Sequence, residues 1–98
     1  MSAYIVFNYT ITDADAYAAY PGAAFPSILS SGAEVLVADY ASAAVEGEPG
    51  PVTIVLRFET KEAAQAWYDS DAYAGAKPMR LAASEGSAVL CDGFVMPS

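Results

Sequence analysis

The sequence predicts a single α+β domain, residues 1–98, that pairs with a second copy of itself. Strand-like and helix-like stretches follow one another in the order β-α-β-β-α-β. Ninety-eight residues suit one domain, and a chain of this length buries only about two thirds of its extended surface. Because 55% of the residues are hydrophobic, above the usual ~45–50%, part of the apolar surface is expected to be buried against a partner.

The first strand is predicted at residues 3–11, where β-branched and aromatic residues dominate and one face is fully apolar. Threonine and aspartate side chains then begin a helix at 12–20, which Pro21 is expected to interrupt. A second helical stretch is predicted at 24–31, with Gly32 as its stop. Its spacing places three side chains toward the core, namely Phe25, Ile28 and Leu29.

The middle of the chain predicts a β-hairpin. Residues 34–46 and 52–59 have strand composition, and the Gly- and Pro-rich segment 47–51 between them is a turn. One face of the later strand is apolar at alternate positions, as expected for a strand packed on a core.

The last third predicts a helix, a further helical turn and a strand. Thr60 is expected to cap the helix at 61–70, because its hydroxyl can accept from free backbone N–H groups. A proline opens the helical turn at 78–82, and the final strand is predicted at 87–96.

This order of elements is that of the ferredoxin-like fold, an antiparallel four-stranded sheet with its helices on one face. The opposite face should be polar in a monomer, but here it carries Tyr4, Val6 and Val55. Apolar area of this kind marks an interface, so two sheets are expected to pack face to face as a homodimeric α/β barrel.

Composition excludes several classes of function. The net charge of −8 disfavours nucleic acid and anionic membrane surfaces as partners, and no apolar run approaches the ~18–20 residues of a membrane span. Without a recognisable signal peptide, and with Cys91 as the single cysteine, a cytoplasmic location is expected. The sequence has no histidine, which excludes a Ser-His-Asp triad and haem held by a proximal histidine. No metal site and no cofactor are predicted.

The run from Glu62 to Tyr73, EAAQAWYDSDAY, is the most specific motif of the sequence. With this run the chain resembles the family called domain of unknown function 1330, and the resemblance extends over nearly its whole length. Two departures concern charge: Ala38 stands where members often carry a basic residue, and Arg57 stands where they often carry an acid. The resemblance implies a dimeric α/β barrel, in a superfamily that includes small monooxygenases, lactone isomerases and stress-related proteins. Further matching positions are Tyr17-x-x-Tyr20 and Lys77-x-x-Arg80.

Four residues are candidates for catalysis: Arg57, Glu46, Asp39 and Tyr73. Arg57 would bind a carboxylate or enolate inside the barrel. It would otherwise pair across the hairpin with Asp39, Glu46 or Glu59, or lie in water at a sheet edge. Glu46 or Asp39 would move a proton, although an acid beside a turn is ordinarily solvated. Tyr73 follows a helix cap and would line an aromatic pocket.

Tyr4, Asn8, Trp67 and Arg80 are candidates for ligand binding. Tyr4 and Asn8 share the sheet face away from the helices, where a ligand or water would supply the partners that the amide needs. Trp67 would add contact surface, although core packing is the commoner role for such a residue. Arg80, three positions after Lys77, would hold an anionic group, or the two cations would neutralise nearby acids.

These candidates support two functions of different class. The first is a small-molecule-binding protein that acts as a cofactor-free enzyme, isomerase- or monooxygenase-like, on a hydrophobic or carboxylated metabolite. The alternative is a non-catalytic dimeric binding or stress-related module, and a third reading is a subunit that docks on a larger enzyme. The reaction types rest on analogy with the superfamily.

Overall fold

The structure, a computed structural model, describes residues 2–97 and has the predicted α+β class. The strands form one antiparallel sheet in which the order is second, third, first, fourth, and this ferredoxin-like arrangement confirms the prediction. In chain order the elements are β1 (Ala3–Ile11), α1 (Ala14–Tyr17), α2 (Tyr20–Ser30), β2 (Glu34–Asp39), β3 (Val52–Phe58), α3 (Lys61–Tyr68), α4 (Asp71–Ala74), α5 (Lys77–Ala83) and β4 (Ser84–Asp92).

Strand β1 lies inside the sheet, between β3 and β4. Successive side chains of a strand point to opposite faces, so Ile5, Phe7 and Tyr9 all lie under the helices and are buried. Strand β3 adds Leu56 and Phe58 to the same layer. The helices and the turn between α4 and α5 close this core with the buried side chains of Tyr17, Tyr20, Ala24, Ile28, Ala64, Trp67, Tyr73, Ala76 and Ala83.

The outer face of the sheet, turned away from the helices, carries a row of four valines. Val37, Val55, Val6 and Val89 are paired in register across all four strands. Val89 is 56% exposed and Val37 is 39% exposed. An apolar row therefore crosses the outer face, and polar side chains such as Asn8, Thr53 and Arg57 lie on either side of it.

Two strand boundaries differ from the prediction. β2 ends at Asp39 instead of residue 46, because its pairing with β3 stops at Thr53 and Pro51 has no N–H to extend the ladder. β4 covers Ser84–Asp92 instead of 87–96, because it follows β1, whose Ile11 pairs with Ser84 and whose Ala3 pairs with Asp92.

The first helical region also differs from the prediction. Pro21 lies in the first turn of α2, where a missing N–H costs little, and does not interrupt a helix. The buried face of α2 consists of Tyr20, Ala24, Ser27 and Ile28. The expected core residues Phe25 and Leu29 lie beside that face and are 50% and 60% exposed, so that part of the prediction was wrong.

Two predicted helix boundaries, the start of α3 at Thr60 and the end of α2 before Gly32, are confirmed by the local geometry. Thr60 Oγ1 accepts from the Ala63 N–H at 3.0 Å and begins α3. Gly32 has a φ of +81°, the left-handed conformation in which glycine commonly follows a helix. Within residues 2–97 there is no helix of the length and apolarity needed to cross a bilayer.

Candidate functional site

A cleft of about 210 Å³ opens between α2 and the β2–β3 side of the sheet. Its floor is formed by the helix-facing side chains of the sheet, because the alternation of β1 and β3 directs them there. One side wall comes from the buried face of α2, and the other from β2 and the residue that follows it. The side chains that line the cleft include those of Phe7, Tyr9, Tyr17, Tyr20, Ala38 and Tyr40.

Three tyrosine hydroxyls are joined along the cleft. Tyr9 Oη lies 2.6 Å from Tyr17 Oη, and Tyr17 Oη lies 3.2 Å from Tyr40 Oη. Tyr9 and Tyr17 are buried, whereas Tyr40 is 48% exposed. The three hydroxyls therefore connect the cleft interior to solvent.

A second chain of polar groups leads from the cleft wall into the core behind it. Tyr20 Oη is 2.7 Å from Tyr73 Oη, and Arg80 Nε donates to Tyr73 Oη at 3.4 Å. Tyr20 lines the cleft, but Tyr73 and Arg80 do not. Arg80 is 5% exposed, and its guanidinium carbon lies 4.9 Å from the ring centre of Phe7, where cation and ring attract.

Burial controls the protonation of these groups. Removal from water raises the pKa of the Tyr9, Tyr17 and Tyr20 hydroxyls above the usual value, because the charged phenolate is disfavoured. Burial by itself lowers the pKa of Arg80, but the bond to Tyr73 and the surrounding tyrosines outweigh it and raise that pKa overall. Near neutral pH the cleft thus presents neutral hydroxyls, with a cationic guanidinium behind them.

Volume alone does not distinguish this cleft from two other cavities. Those cavities enclose about 200 Å³ between β4 and α3 and about 210 Å³ near Gly32. Of the three, the tyrosine cleft is lined by several linked hydroxyls, and no residue from 2 to 97 that lines it is charged. Within residues 2–97 no three Cys, Asp or Glu side chains are placed to hold a metal ion.

All four catalytic candidates lie outside the cleft lining: Tyr73 is behind the wall, and the other three are exposed residues that do not line it. Arg57 is on the outer face, where it forms an ion pair with the Glu34 carboxylate and donates from Nε to Ser2 Oγ at 2.9 Å. The expectation of an acid across the hairpin is met by Glu34, not by the three acids that the sequence suggested. Asp39 is exposed and accepts from the Ala41 N–H at 2.8 Å. Glu46 is exposed in the loop that follows.

Asn8 and Tyr4 lie on the outer face of β1. The Asn8 amide has partners within the chain: Nδ2 donates to the oxygens of Gly50, Val52 and Thr53, and Oδ1 accepts from the Gly50 N–H at 2.9 Å. The chain itself thus supplies the partners that a ligand or water was expected to provide. Tyr4 is half-buried on the same face and pairs with Cys91 across the strands.

Trp67, Tyr73 and Arg80 are brought together behind the cleft. Trp67 is a core residue whose ring stacks on Tyr73 at 4.2 Å and whose Nε1 donates to Ser27 Oγ at 3.1 Å. Tyr73 has no exposed surface, so it joins the hydroxyl chain without lining the cleft. Lys77 and Arg80 have different hydrogen-bond partners, since Lys77 Nζ donates to the Tyr68 carbonyl oxygen at 3.1 Å.

Sequence reasoning missed the cleft tyrosines as site residues. Tyr17 and Tyr20 were visible only as a matching motif, and Tyr9 and Tyr40 carried no local signal. Seven tyrosines in 98 residues, combined with the absence of histidine, was the available indication that tyrosine hydroxyls would supply the polar groups of a site.

Comparison with known proteins identifies the family and the fold. A protein of unknown function from Rhodopseudomonas palustris superposes with a TM-score of 0.79 at 16% identity, over 97% of this chain and 84% of that one. Its methylated form gives the same TM-score over 96% and 82%. A protein described as a "putative antibiotic biosynthesis monooxygenase" from Nitrosomonas europaea superposes with a TM-score of 0.56 at 14% identity, over 94% of this chain and 90% of that one.

At these identities the structural likeness shows the fold alone. No curated protein matches the sequence. The family match is more specific, because the pattern described as Domain of unknown function (DUF1330) covers residues 2–94. The chain therefore belongs to the DUF1330 family, as its motifs indicated.

Proposed function

We propose that the chain binds a small, mainly apolar molecule in the tyrosine cleft. The observation that carries this proposal is the lining: apolar rings and aliphatic side chains surround three linked hydroxyls, and none of the described residues in the lining is charged. Ligand sites are commonly concave, mostly apolar and furnished with a few convergent polar groups.

The same lining defines the ligand in outline. A cleft of about 210 Å³ accommodates a compact aromatic or aliphatic ring system better than an extended chain. Apolar contact supplies most of the affinity, because it removes hydrophobic surface from water, while the hydroxyls orient the ligand.

Catalysis without a resident cofactor is a second candidate. The observation that favours it is the set of hydroxyls whose pKa burial raises, because neutral O–H groups stabilise a negative oxygen that develops during isomerisation or oxygenation. The roles proposed for Arg57 and Asp39 would apply to a site between two copies of the chain, since both lie on the outer face. Glu46 would join such a site from its loop.

The binding proposal is tested by filling the cleft from its rim. Ala38 and Ala88 lie at opposite ends of one cross-strand row, both are exposed, and Ala38 lines the tyrosine cleft whereas Ala88 lines the cavity beside α3. Ala38→Trp should weaken binding of naphthalene by at least about tenfold, because an indole ring would occupy the site. Ala88→Trp, the matched control, should bind it as the wild type does.

Naphthalene binding is measured by titration with observation of the side-chain NMR signals of the cleft residues. Equal affinity of the Ala38→Trp variant and the wild type would place the ligand elsewhere and contradict the proposal. The catalytic candidate would be supported if the wild type consumed oxygen or formed an isomer of the ligand. The same activity should then be lost in Ala38→Trp and retained in Ala88→Trp.

A further inference from the structure

We infer that Arg80, Tyr73 and Tyr20 form a directed chain of hydrogen bonds that makes the Tyr20 hydroxyl the donor to an acceptor oxygen of the cleft ligand. The inference rests on the proposed function and specifies the class of ligand, an apolar ring system that carries a carbonyl or enolate oxygen. Arg80 and Tyr73 are positioning residues, and Tyr20 is the residue that contacts the ligand.

The direction of the chain follows from what each group can donate. A guanidinium has donors and no acceptor, so Tyr73 Oη accepts from Arg80 Nε. Tyr73 is completely buried, and its second hydrogen-bond partner is Tyr20 Oη at 2.7 Å. If Tyr20 donated to Tyr73, the Tyr73 proton would be buried without an acceptor, which is costly. Tyr73 therefore donates to Tyr20.

The Tyr20 proton is then left for the contents of the cleft. Its oxygen accepts from Tyr73, and in the part of the chain that the structure describes no other group hydrogen-bonds to it. Tyr20 lines the cleft and is 8% exposed, so a ligand or a water molecule in the cleft is the acceptor available to it. Burial raises the pKa of Tyr20, which keeps this proton in place.

The positive charge of Arg80, which lies behind the wall of the cleft, favours a ligand whose acceptor atom is electron-rich. Between residues 2 and 97 the ion pairs are Arg57–Glu34 and Lys61–Asp92, so the buried Arg80 has no carboxylate partner there. Its guanidinium carbon lies 5.8 Å from the ring centre of Tyr9, a cleft residue. In a low-dielectric interior, hydrogen bonds polarise one another along a chain, so the cation strengthens Tyr20 as a donor.

The second hydroxyl chain leads to the same preference. Tyr9 is buried and its hydroxyl has Tyr17 Oη as its partner, so Tyr9 donates to Tyr17. Tyr17 then donates to Tyr40, whose exposed hydroxyl keeps its own proton for solvent or ligand. Both chains thus present donors to the cleft, which complements a ligand whose polar atom is an acceptor.

The test compares two probes of the same shape, 2-acetonaphthone and 2-isopropenylnaphthalene, in which a carbonyl oxygen is replaced by a CH₂ group. Dissociation constants are measured by calorimetry at pH 7. The wild type should bind the ketone about 2- to 10-fold more tightly than the hydrocarbon, the range expected for one hydrogen bond. Tyr20→Phe should remove this preference and leave hydrocarbon affinity within about twofold.

Tyr73→Phe tests the positioning role separately. The infrared carbonyl band of the bound ketone should lie at lower frequency than that of the free ketone in the wild type, and this shift should shrink in Tyr73→Phe, because Tyr20 is no longer polarised. Hydrocarbon affinity should not change. Tyr68→Phe is the matched control, since the Tyr68 ring also packs on Tyr73 but its hydroxyl belongs to neither chain, and it should resemble the wild type in every measurement.

The outcomes separate the inference from the proposed function. If neither probe binds the wild type, both fail together. If both probes bind equally, or if Tyr20→Phe keeps the ketone preference, the cleft binds ligands but the directed chain does not select them, and the inference is overturned. The wild-type affinities and band position decide this even where a variant is poorly folded.

Discussion

Tyrosine is the residue type that gives this molecule its polar interior chemistry. The sequence lacks histidine, and the carboxylates named as candidate bases are exposed, so the buried groups able to move or share a proton are hydroxyls. Because burial raises the pKa of Tyr9, Tyr17 and Tyr20, these groups act as neutral donors and acceptors and not as bases near neutral pH.

The same pKa shifts predict a loss of stability in alkali. Above pH ~10 the tyrosines of the unfolded chain ionise while the buried ones keep their protons, so the unfolded state binds fewer protons. The free energy of unfolding should therefore fall by about 1.4 kcal/mol per pH unit for each such tyrosine. Urea unfolding between pH 8 and pH 11 (~3 units around the tyrosine pKa) measures this slope.

Tyr17→Phe should make that slope shallower, because one ionising group is removed from the unfolded chain. Tyr68→Phe, whose hydroxyl lies outside both hydroxyl chains, serves as the comparison. A slope that Tyr17→Phe leaves as steep as in the wild type would show that its hydroxyl is not held protonated by the fold.

At the scale of the element, the sequence predicted the helices and strands whose positions are set by local patterns. It did not predict the strand ends that are set by pairing with a neighbouring strand. β1, β3 and α3 agreed because alternation, composition and the Thr60 cap are local. The C-terminal end of β2 and both ends of β4 depend on the extent of the neighbouring strand with which each one pairs. The cleft depends on contacts such as Tyr20–Tyr73, 53 positions apart, so its members could be named only where a family motif happened to include them.

The Asn8 side chain fastens the connection between β2 and β3 to strand β1. Asn8 exchanges hydrogen bonds with Gly50 in both directions, and a Cβ on Gly50 would lie 2.3 Å from the Tyr9 carbonyl carbon. Glycine is therefore required where the loop meets β1, and the Asn8 amide holds the loop in that position.

Asn8→Ala should lower the free energy of unfolding by about 2 kcal/mol, because several part-buried hydrogen bonds are lost together. It should also expose the loop at 43–49 to faster proteolysis. Ser87→Ala alters the neighbouring position across from Asn8 on β4 and should change neither measurement, since Ser87 is exposed. Equal stability of Asn8→Ala and the wild type would refute the role assigned to the amide.

At the scale of the whole molecule, the outer face of the sheet is the surface on which we expect a partner to bind. A row of valines crosses the sheet, and Phe94, Val95 and Met96 beyond β4 are 81%, 73% and 76% exposed. Exposed apolar side chains of this kind often mark an interface. We propose that a second copy of the chain covers it through a two-fold axis, so that the same row packs on itself.

Val55→Asp should shift the wild-type dimer to monomer at micromolar concentrations in sedimentation equilibrium, because two carboxylates would face each other at the axis. Leu29→Asp places the same charge on an exposed apolar position of α2 and should leave the dimer intact. A wild type that sediments as a monomer at these concentrations would end the proposal.

The stacking of Trp67 on Tyr73 has a practical consequence. Trp67 is the chain's single tryptophan, and the ring it contacts shares a hydrogen bond with a wall residue of the cleft. We therefore expect the emission of this one indole to change when a ligand enters the proposed site, which would allow metabolite collections to be screened without modifying the protein.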